Sequence, residues 1–144
     1  MREILFRGKR IDNGEWVYGF YFCMYHDDDK KHLHHFIIPL NVPIPKDKPI
    51  GEIQVEVDTS TIGQYTGLTA NGKKIFEGDI VKVTGLYPDR DGEKRIWRQI
   101  RIGEVFYYHG AFYFDKWLLC KTSEKCIEII GNIHDNPELL EDKP

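Results

Sequence analysis

The stretch from Ile62 to Val81 restricts the fold more than any other part of the sequence. It interrupts short apolar runs with four glycines, Gly63, Gly67, Gly72 and Gly78. The dipeptide Asn71-Gly72 is typical of tight β-hairpin turns, because both residues tolerate a positive φ angle. Aromatic residues make up 13% of the chain, and no helical apolar pattern extends over about ten residues. We therefore predict a mainly-β fold of short strands joined by frequent turns.

Further turn and strand signals predict where the strands lie. A first hairpin is expected over residues 4–22, around Asp12-Asn13-Gly14, and a second over 103–114, around His109-Gly110. The other predicted elements are a polar loop over 26–32, a proline-rich connector over 39–50, and strands over 36–38, 53–57, 80–83 and 127–130. Asn136-Pro137-Glu138 predicts one short helical turn near the C-terminus.

Charge and cysteine content exclude some classes of protein. The net charge of −3 excludes a polycation that coats nucleic acid by charge alone. Three cysteines without a Cys-x-x-Cys pair indicate free thiols in a reducing compartment. The apolar run Ile4-Leu5-Phe6 is too short for a signal peptide, and no segment approaches the roughly 18 apolar residues of a membrane helix. We expect a soluble, intracellular protein.

Segments from both ends and the middle of the chain carry a family resemblance. They are Arg2-Glu3-Ile4-Leu5-Phe6-Arg7, Gly63-Gln64-Tyr65-Thr66-Gly67-Leu68, Asn71-Gly72-Lys73, Phe76-Glu77-Gly78-Asp79-Ile80-Val81, and the run from Glu128 to Leu140. In this order they resemble the YopX family of phage and prophage proteins. The resemblance implies a compact, mainly-β, phage-encoded protein in a bacterial cytoplasm, and it implies no catalytic residues.

The expected architecture is a single YopX-like domain over residues 1–144. We predict a hairpin-rich N-terminal β half over 1–60, packed on a small SH3-like barrel-type half over 61–134, and a short C-terminal helical tail over 135–144. The barrel is a fold-level analogy, because Glu77-Gly78-Asp79 leads into a strand as similar segments do in small SH3-like barrels.

The glycine-rich motif is interpreted as structural. Its residues, Gly63, Gln64, Tyr65, Gly67, Gly78 and Asp79, provide turns and close backbone approaches. Asp79 is expected to accept a hydrogen bond from a backbone N–H at the bend before its strand.

The histidine-rich segment is the candidate for metal binding. Cys23, His26, His32, His34 and His35 are close in sequence. A zinc site usually needs two ligand pairs at short, fixed spacings. Cys23-x-x-His26 is an acceptable pair, but only His32-x-His34 is available as its partner. We therefore predict a polar loop with a solvated acidic tip, no metal and no cofactor.

The chain lacks the sequence signatures of an enzyme. It contains no nucleophile elbow and no phosphate-cradling loop. The carboxylates of Glu77 and Asp79 stand at the start of a strand, where binding to backbone is the usual role. We predict no catalytic residues.

A basic segment over residues 82–101 is a candidate contact surface. It carries a net charge of +3, so the remainder carries −6. If Ile96, Ile100 and Ile102 face the core, the side chains of Arg95, Trp97 and Arg101 share the opposite face, with Arg98 nearby. Such a surface suits nucleic acid or an acidic partner. The alternative is an edge strand protected by charge.

The predicted second hairpin is unusually rich in aromatic residues. Phe106, Tyr107, Tyr108, Phe112, Tyr113 and Phe114 place rings on both of its faces. One face can line a core, and the other requires a cover to avoid an exposed apolar patch. The N-terminal half or a second subunit could provide that cover.

These features favour a protein that acts by binding. The first hypothesis is an accessory protein of a phage or prophage that self-associates and contacts a host or phage protein. The alternative is a small nucleic-acid-binding β-barrel that uses Arg95, Trp97, Arg98 and Arg101. The weakest hypothesis is a metal-dependent enzyme at residues 26–35.

Overall fold

Short antiparallel strands and tight turns make up most of the chain. The computed structural model describes residues 1–88 and 94–141, with side chains described except at 50, 86–88 and 94–99. The described residues form the strands β1 (Phe6–Lys9), β2 (Trp16–His26), β3 (Asp29–Pro39), β4 (Val55–Glu56), β5 (Gly63–Ala70), β6 (Lys73–Phe76), β7 (Asp79–Pro88), β8 (Lys94–Tyr108), β9 (Ala111–Phe114), β10 (Trp117–Leu118) and β11 (Ile127–Asn132). The mainly-β prediction is confirmed.

Five single turns of 3₁₀ helix connect strands among the described residues, at Ile50–Glu52, Thr59–Thr61, Leu119–Lys121, Glu124–Cys126 and Pro137–Leu140. The last is the helical turn predicted from Asn136-Pro137-Glu138, and its proline occupies the first turn, where a missing N–H is tolerated.

The chain divides into two compact units, residues 1–65 and 66–144. In the first unit the strands are antiparallel in the order β4-β3-β2-β1-β5. Its core contains Val17, Ile37 and Val57, with Phe6, Tyr21, Val55 and Ile62 packed against them. Because side chains alternate between the two faces of a strand, the core takes the odd-numbered residues of β2, and Tyr18, Phe20, Phe22 and Met24 lie on the other face.

The second unit contains a five-stranded antiparallel sheet in the order β10-β9-β8-β7-β11. Its buried core consists of Ala70, Ile75, Val81, Val83, Val105, Phe114, Leu119 and Ile127. The predicted turn at Asn71-Gly72 joins β5 to β6, with φ angles of 50° and 82°. The likeness of this half to an SH3-like barrel stays a prediction.

The glycine-rich motif has the structural roles expected for its members. In β5, Gly63 and Gln64 pair with Arg7 and Phe6 of β1, and the backbone N–H of Tyr65 donates to the carbonyl of Leu5 at 2.7 Å. Gly67 and Gly78 both have positive φ angles. Asp79 is buried, and its Oδ2 accepts a hydrogen bond from the backbone N–H of Phe76 at 2.8 Å. This is the kind of backbone hydrogen bond expected for Asp79 at the bend before its strand.

Replacing Asp79 by alanine is expected to lower the free energy of unfolding by about 1–3 kcal/mol, because the N–H of Phe76 loses its buried acceptor. Chemical denaturation followed by circular dichroism measures the loss. Asp79→Asn keeps an acceptor oxygen and is expected to lose less. Equal losses in the two variants would show that the hydrogen bond to Phe76 does not matter.

The predicted polar loop over residues 26–32 and short strand over 36–38 are wrong in extent. β2 continues to His26, and β3 begins at Asp29, so that a turn of Asp27 and Asp28 replaces the loop. Polar residues can extend a hairpin in this way, because backbone pairing with the neighbouring strand does not depend on side-chain hydrophobicity.

The face assignment of β8 is also wrong. Arg101 and Gly103 pair with Val83 and Val81, both buried, so Arg101, Gly103 and Val105 lie on the core face. Ile100 lies on the opposite face and is 43% exposed. The physical reason is that the register with β7 and the burial of Val105 determine which face of β8 is buried. The isoleucine pattern of β8 indicated the opposite face. Ile96 lies outside the residues whose side chains are described.

Candidate functional site in the β2–β3 hairpin

The outer part of the β2–β3 hairpin has few neighbours in its sheet. β1 pairs with β2 over Trp16–Gly19, and β4 pairs with β3 at Phe36 and Ile37. No third strand of the described chain pairs with residues 24–34, which we call the distal hairpin. Two-stranded hairpins are at best marginally stable in water, so these residues require further stabilising contacts.

Apolar side chains are exposed on both faces of the distal hairpin. Met24 is 46% exposed on one face. Tyr25 and Leu33, which pair with each other across the strands, are 54% and 47% exposed on the other face. The face of Met24 continues along β2 to Phe20, which is 56% exposed, and to Tyr18. The hairpin therefore presents an apolar surface composed of Tyr18, Phe20, Met24, Tyr25 and Leu33.

A bulge in β3 arranges polar residues on the face that carries Met24. Tyr25 pairs with Leu33 but His26 pairs with Asp29, so Lys30 to His32 have no Cα partner on β2. Bulges of this kind redirect side chains and often lie near functional sites. The shift brings Asp29 opposite His26 and close to His34.

The strand β4 adds a carboxylate to the same face. Glu56 pairs with Phe36, which lies two positions from His34 along β3, so both side chains point to one side of the sheet. His26, Asp29, His32, His34 and Glu56 form what we call the polar cluster. Its residues come from three strands of the first unit.

The distances within the polar cluster are those of direct contacts. His34 Nδ1 donates to Glu56 Oε1 at 2.7 Å, and the opposite ring nitrogen, Nε2, lies 3.6 Å from Asp29 Oδ2. The rings of His26 and His34 meet edge to face, with centroids 4.1 Å apart. Asp29 is held by His32 Nδ1 at 2.8 Å and by the backbone N–H of Lys31 at 3.1 Å.

Two pKa values within the cluster move in opposite directions. The pKa of His34 is raised, mainly because Glu56 accepts a hydrogen bond from its ring, and Asp29 adds a smaller attraction. The pKa of Asp29 is lowered, mainly by the hydrogen bond from His32. Both shifts follow from placing imidazoles between carboxylates.

The remaining residues of the histidine-rich segment lie on the other face. Cys23 pairs with His35, whose Nδ1 is 2.7 Å from the hydroxyl of Tyr21. The pKa of Tyr21 is raised by burial and by a hydrogen bond with Cys23. The sequence pair Cys23-x-x-His26 is therefore divided between two faces, whereas Glu56, which sequence reasoning did not connect to the histidines, is brought to them.

The basic segment over residues 82–101 is described only in part. Arg95, Trp97 and Arg98 lie in β8, and their side chains are outside the described residues. Arg101 is half-buried, with its guanidinium 3.8 Å from the ring centre of Trp117. This cation–π contact is within the second unit, and its energy is about 0.5–2 kcal/mol.

The aromatic hairpin is formed by β8 and β9 as predicted, with Tyr108 paired to Ala111. Its Val105–Phe114 pair is fully buried, so one face lines the core of the second unit. On the other face Phe106 stacks on Tyr113 with centroids 5.9 Å apart, and Tyr108 is exposed.

Comparisons with known proteins agree with this fold. A crystal structure of protein EF1440 from Enterococcus faecalis is similar to the chain, with a TM-score of 0.58 and 26% sequence identity over 97% of this chain and 99% of that one. No curated protein matches the sequence. None of the described helices is long and apolar enough to cross a membrane.

The two antiparallel sheets define a class of mainly-β proteins without long helices among the described residues. The family model described as YopX protein matches residues 5–141. The chain therefore belongs to the YopX family, which confirms the resemblance of the sequence segments.

Proposed function

We propose that the chain is an accessory protein of a phage or prophage that acts by protein binding in the bacterial cytoplasm, and not by catalysis. Its first partner is a second copy of the same chain. The observation that carries the proposal is the apolar surface of the β2–β3 hairpin, which is exposed on both faces of the hairpin.

An exposed apolar surface of this kind favours association. Fully burying a large apolar side chain contributes about 1.5–3 kcal/mol, and aromatic rings are enriched where proteins meet. The surface includes three rings, those of Tyr18, Phe20 and Tyr25. Covering Met24, Tyr25 and Leu33 also supplies contacts that the two-stranded distal hairpin lacks.

The chemistry of this surface supports a second copy as the occupant. None of its five side chains is charged at neutral pH, so two copies can meet without opposing like charges. The chain as a whole carries −3, which would otherwise disfavour self-association. Contacts of uncharged side chains also predict an oligomer whose stability changes little with salt.

The double variant Phe20→Ser with Tyr25→Ser tests the surface on both faces of β2. Light scattering coupled to size exclusion should give the wild type a mass of at least twice the 17.0 kDa of the chain. The variant is expected to weaken association at least tenfold, because two exposed rings are removed. Ile44→Ser is the matched control, since Ile44 is 77% exposed but lies in the proline-rich connector.

Three outcomes would contradict self-association through this surface. They are a monomeric wild type at 100 µM, a double variant that associates as the wild type does, and an equal effect of Ile44→Ser. Assembly that requires nucleic acid and weakens steeply between about 50 and 200 mM salt would instead favour the nucleic-acid-binding alternative. Nuclease treatment before the measurement separates the two.

A further inference from the structure

One ring nitrogen of His34 is available to bind a ligand. Its Nε2 is buried, and within the described residues it has no hydrogen-bond partner. Buried polar atoms in proteins nearly always have a bonding partner, and a bound ion is one such partner. The other nitrogen, Nδ1, is already bound to Glu56.

We propose that the polar cluster holds one divalent transition-metal ion of the zinc type, with His34 Nε2, His26 and Asp29 as its ligands. Glu56 is a positioning residue that fixes the tautomer and the orientation of His34. Imidazole nitrogens together with a carboxylate are ligands that zinc accepts, and three protein ligands leave one position for water. The site does not require the proposed self-association, because all its ligands come from one chain.

The distances from the two ring nitrogens of His34 to Asp29 and Glu56 distinguish the ligand from the positioning residue. Zinc binds nitrogen and oxygen at about 2.0–2.2 Å, so two ligand atoms in a tetrahedral site stand roughly 3.4 Å apart. The 3.6 Å between His34 Nε2 and Asp29 Oδ2 is close to that separation. The 2.7 Å between His34 Nδ1 and Glu56 Oε1 is shorter and is that of a hydrogen bond. A carboxylate that accepts from the second nitrogen of a ligand histidine is a common feature of zinc sites.

His26 is placed to supply the second imidazole. His26, His34 and Glu56 each offer one ligand atom within 4.8 Å of the others. The ring of His26 also packs edge to face on Phe36, with centroids 5.8 Å apart, which restricts its orientation. Its position opposite Asp29 in the hairpin puts both side chains on the face of His34.

The third ligand is held in place before any ion binds. The carboxylate of Asp29 accepts from His32 and from the backbone of Lys31. His34 and Glu56 also line a cavity of about 360 Å³. An ion that joins β2 to β3 would also supply the stabilising contact that the distal hairpin requires.

Calorimetric titration with zinc chloride tests the proposal on the full chain after treatment with EDTA. We expect one zinc ion per chain, whatever the number of subunits. His34→Ala should weaken binding at least 100-fold, and Glu56→Gln should weaken it about 10–100-fold, as carboxylates behind ligand histidines do. The control is His35→Ala, the same change at the next residue but on the opposite face, which should leave zinc affinity unchanged.

Asp29→Asn serves as a second ligand variant if His34→Ala does not fold, because it preserves shape while removing the charge. Zinc should also raise the thermal midpoint of the wild type and of His35→Ala, but not that of Asp29→Asn. A wild type without saturable zinc binding would overturn the proposal. The role of His34 would then be limited to its contacts with Asp29 and Glu56. Equal losses from His34→Ala and His35→Ala would overturn it as well.

Discussion

Replacing Phe114 by alanine is expected to lower the free energy of unfolding of the second unit by about 3–5 kcal/mol. Phe114 is fully buried in β9, opposite the equally buried Val105, among the residues of the larger core. Truncation removes the transfer free energy of the ring and leaves a cavity that strands on both sides cannot close. Chemical denaturation followed by circular dichroism measures this loss.

The matched control is Tyr107→Ala, on the same hairpin. Tyr107 is exposed and makes one ring contact with Phe112, so its loss should be less than about 1 kcal/mol. If the two variants lose equal stability, the core assignment of this face of the aromatic hairpin is wrong.

Replacing Gly19 by alanine is expected to destabilise the first unit by about 3 kcal/mol or more. A Cβ atom at this position would stand 1.8 Å from the carbonyl oxygen of Ile38 and 2.7 Å from its carbonyl carbon. Because these are backbone atoms of the paired strand, no change of rotamer relieves the overlap, and β2 and β3 must separate. Overpacking a core costs about 1–3 kcal/mol even where side chains can move to relieve it. A clash with backbone atoms is therefore expected to cost at least as much.

Gly51→Ala is the control for that substitution. Apart from its neighbours in the chain and its own helical turn, no described residue has an atom within 4 Å of the corresponding Cβ position, and Gly51 does not have a positive φ angle. Its stability should be within about 0.5 kcal/mol of the wild type. Thermal and chemical unfolding of the two variants provide the comparison. A stable Gly19→Ala protein would contradict the close approach of β2 and β3.

Local features of the sequence predicted the hairpins well. The turns at Asn71-Gly72 and His109-Gly110 were predictable because a tight turn depends on the conformations of its own residues. The backbone role of Asp79 followed for the same reason, since its hydrogen-bond donor is three residues away. The family resemblance rests on such segments.

Features that depend on distant strands were predicted poorly. The isoleucines at 100 and 102 indicated the wrong buried face of β8, because its register with β7 and the burial of Val105 decide that face. The strand β3 was predicted too short, since the polar residues before Phe36 give no apolar signal of pairing.

The candidate metal site was likewise only partly predictable from the sequence. Its histidines are visible in the sequence, but their spacing argued against a metal, and Glu56 gave no sign of a connection to them. Only the pairing of β4 with β3 and the bulge opposite Tyr25 bring His26, Asp29, His34 and Glu56 to one face.

The sequence by itself determined the fold class, the main turns and the family, because each is encoded in short segments whose conformation depends on neighbouring residues. Only the tertiary structure decided which face of each strand is buried, which apolar side chains stay exposed on the β2–β3 hairpin, and which polar groups meet. The physical reason is that strand register depends on which of several long-range pairings is the most stable. A shift of one residue moves every side chain to the opposite face.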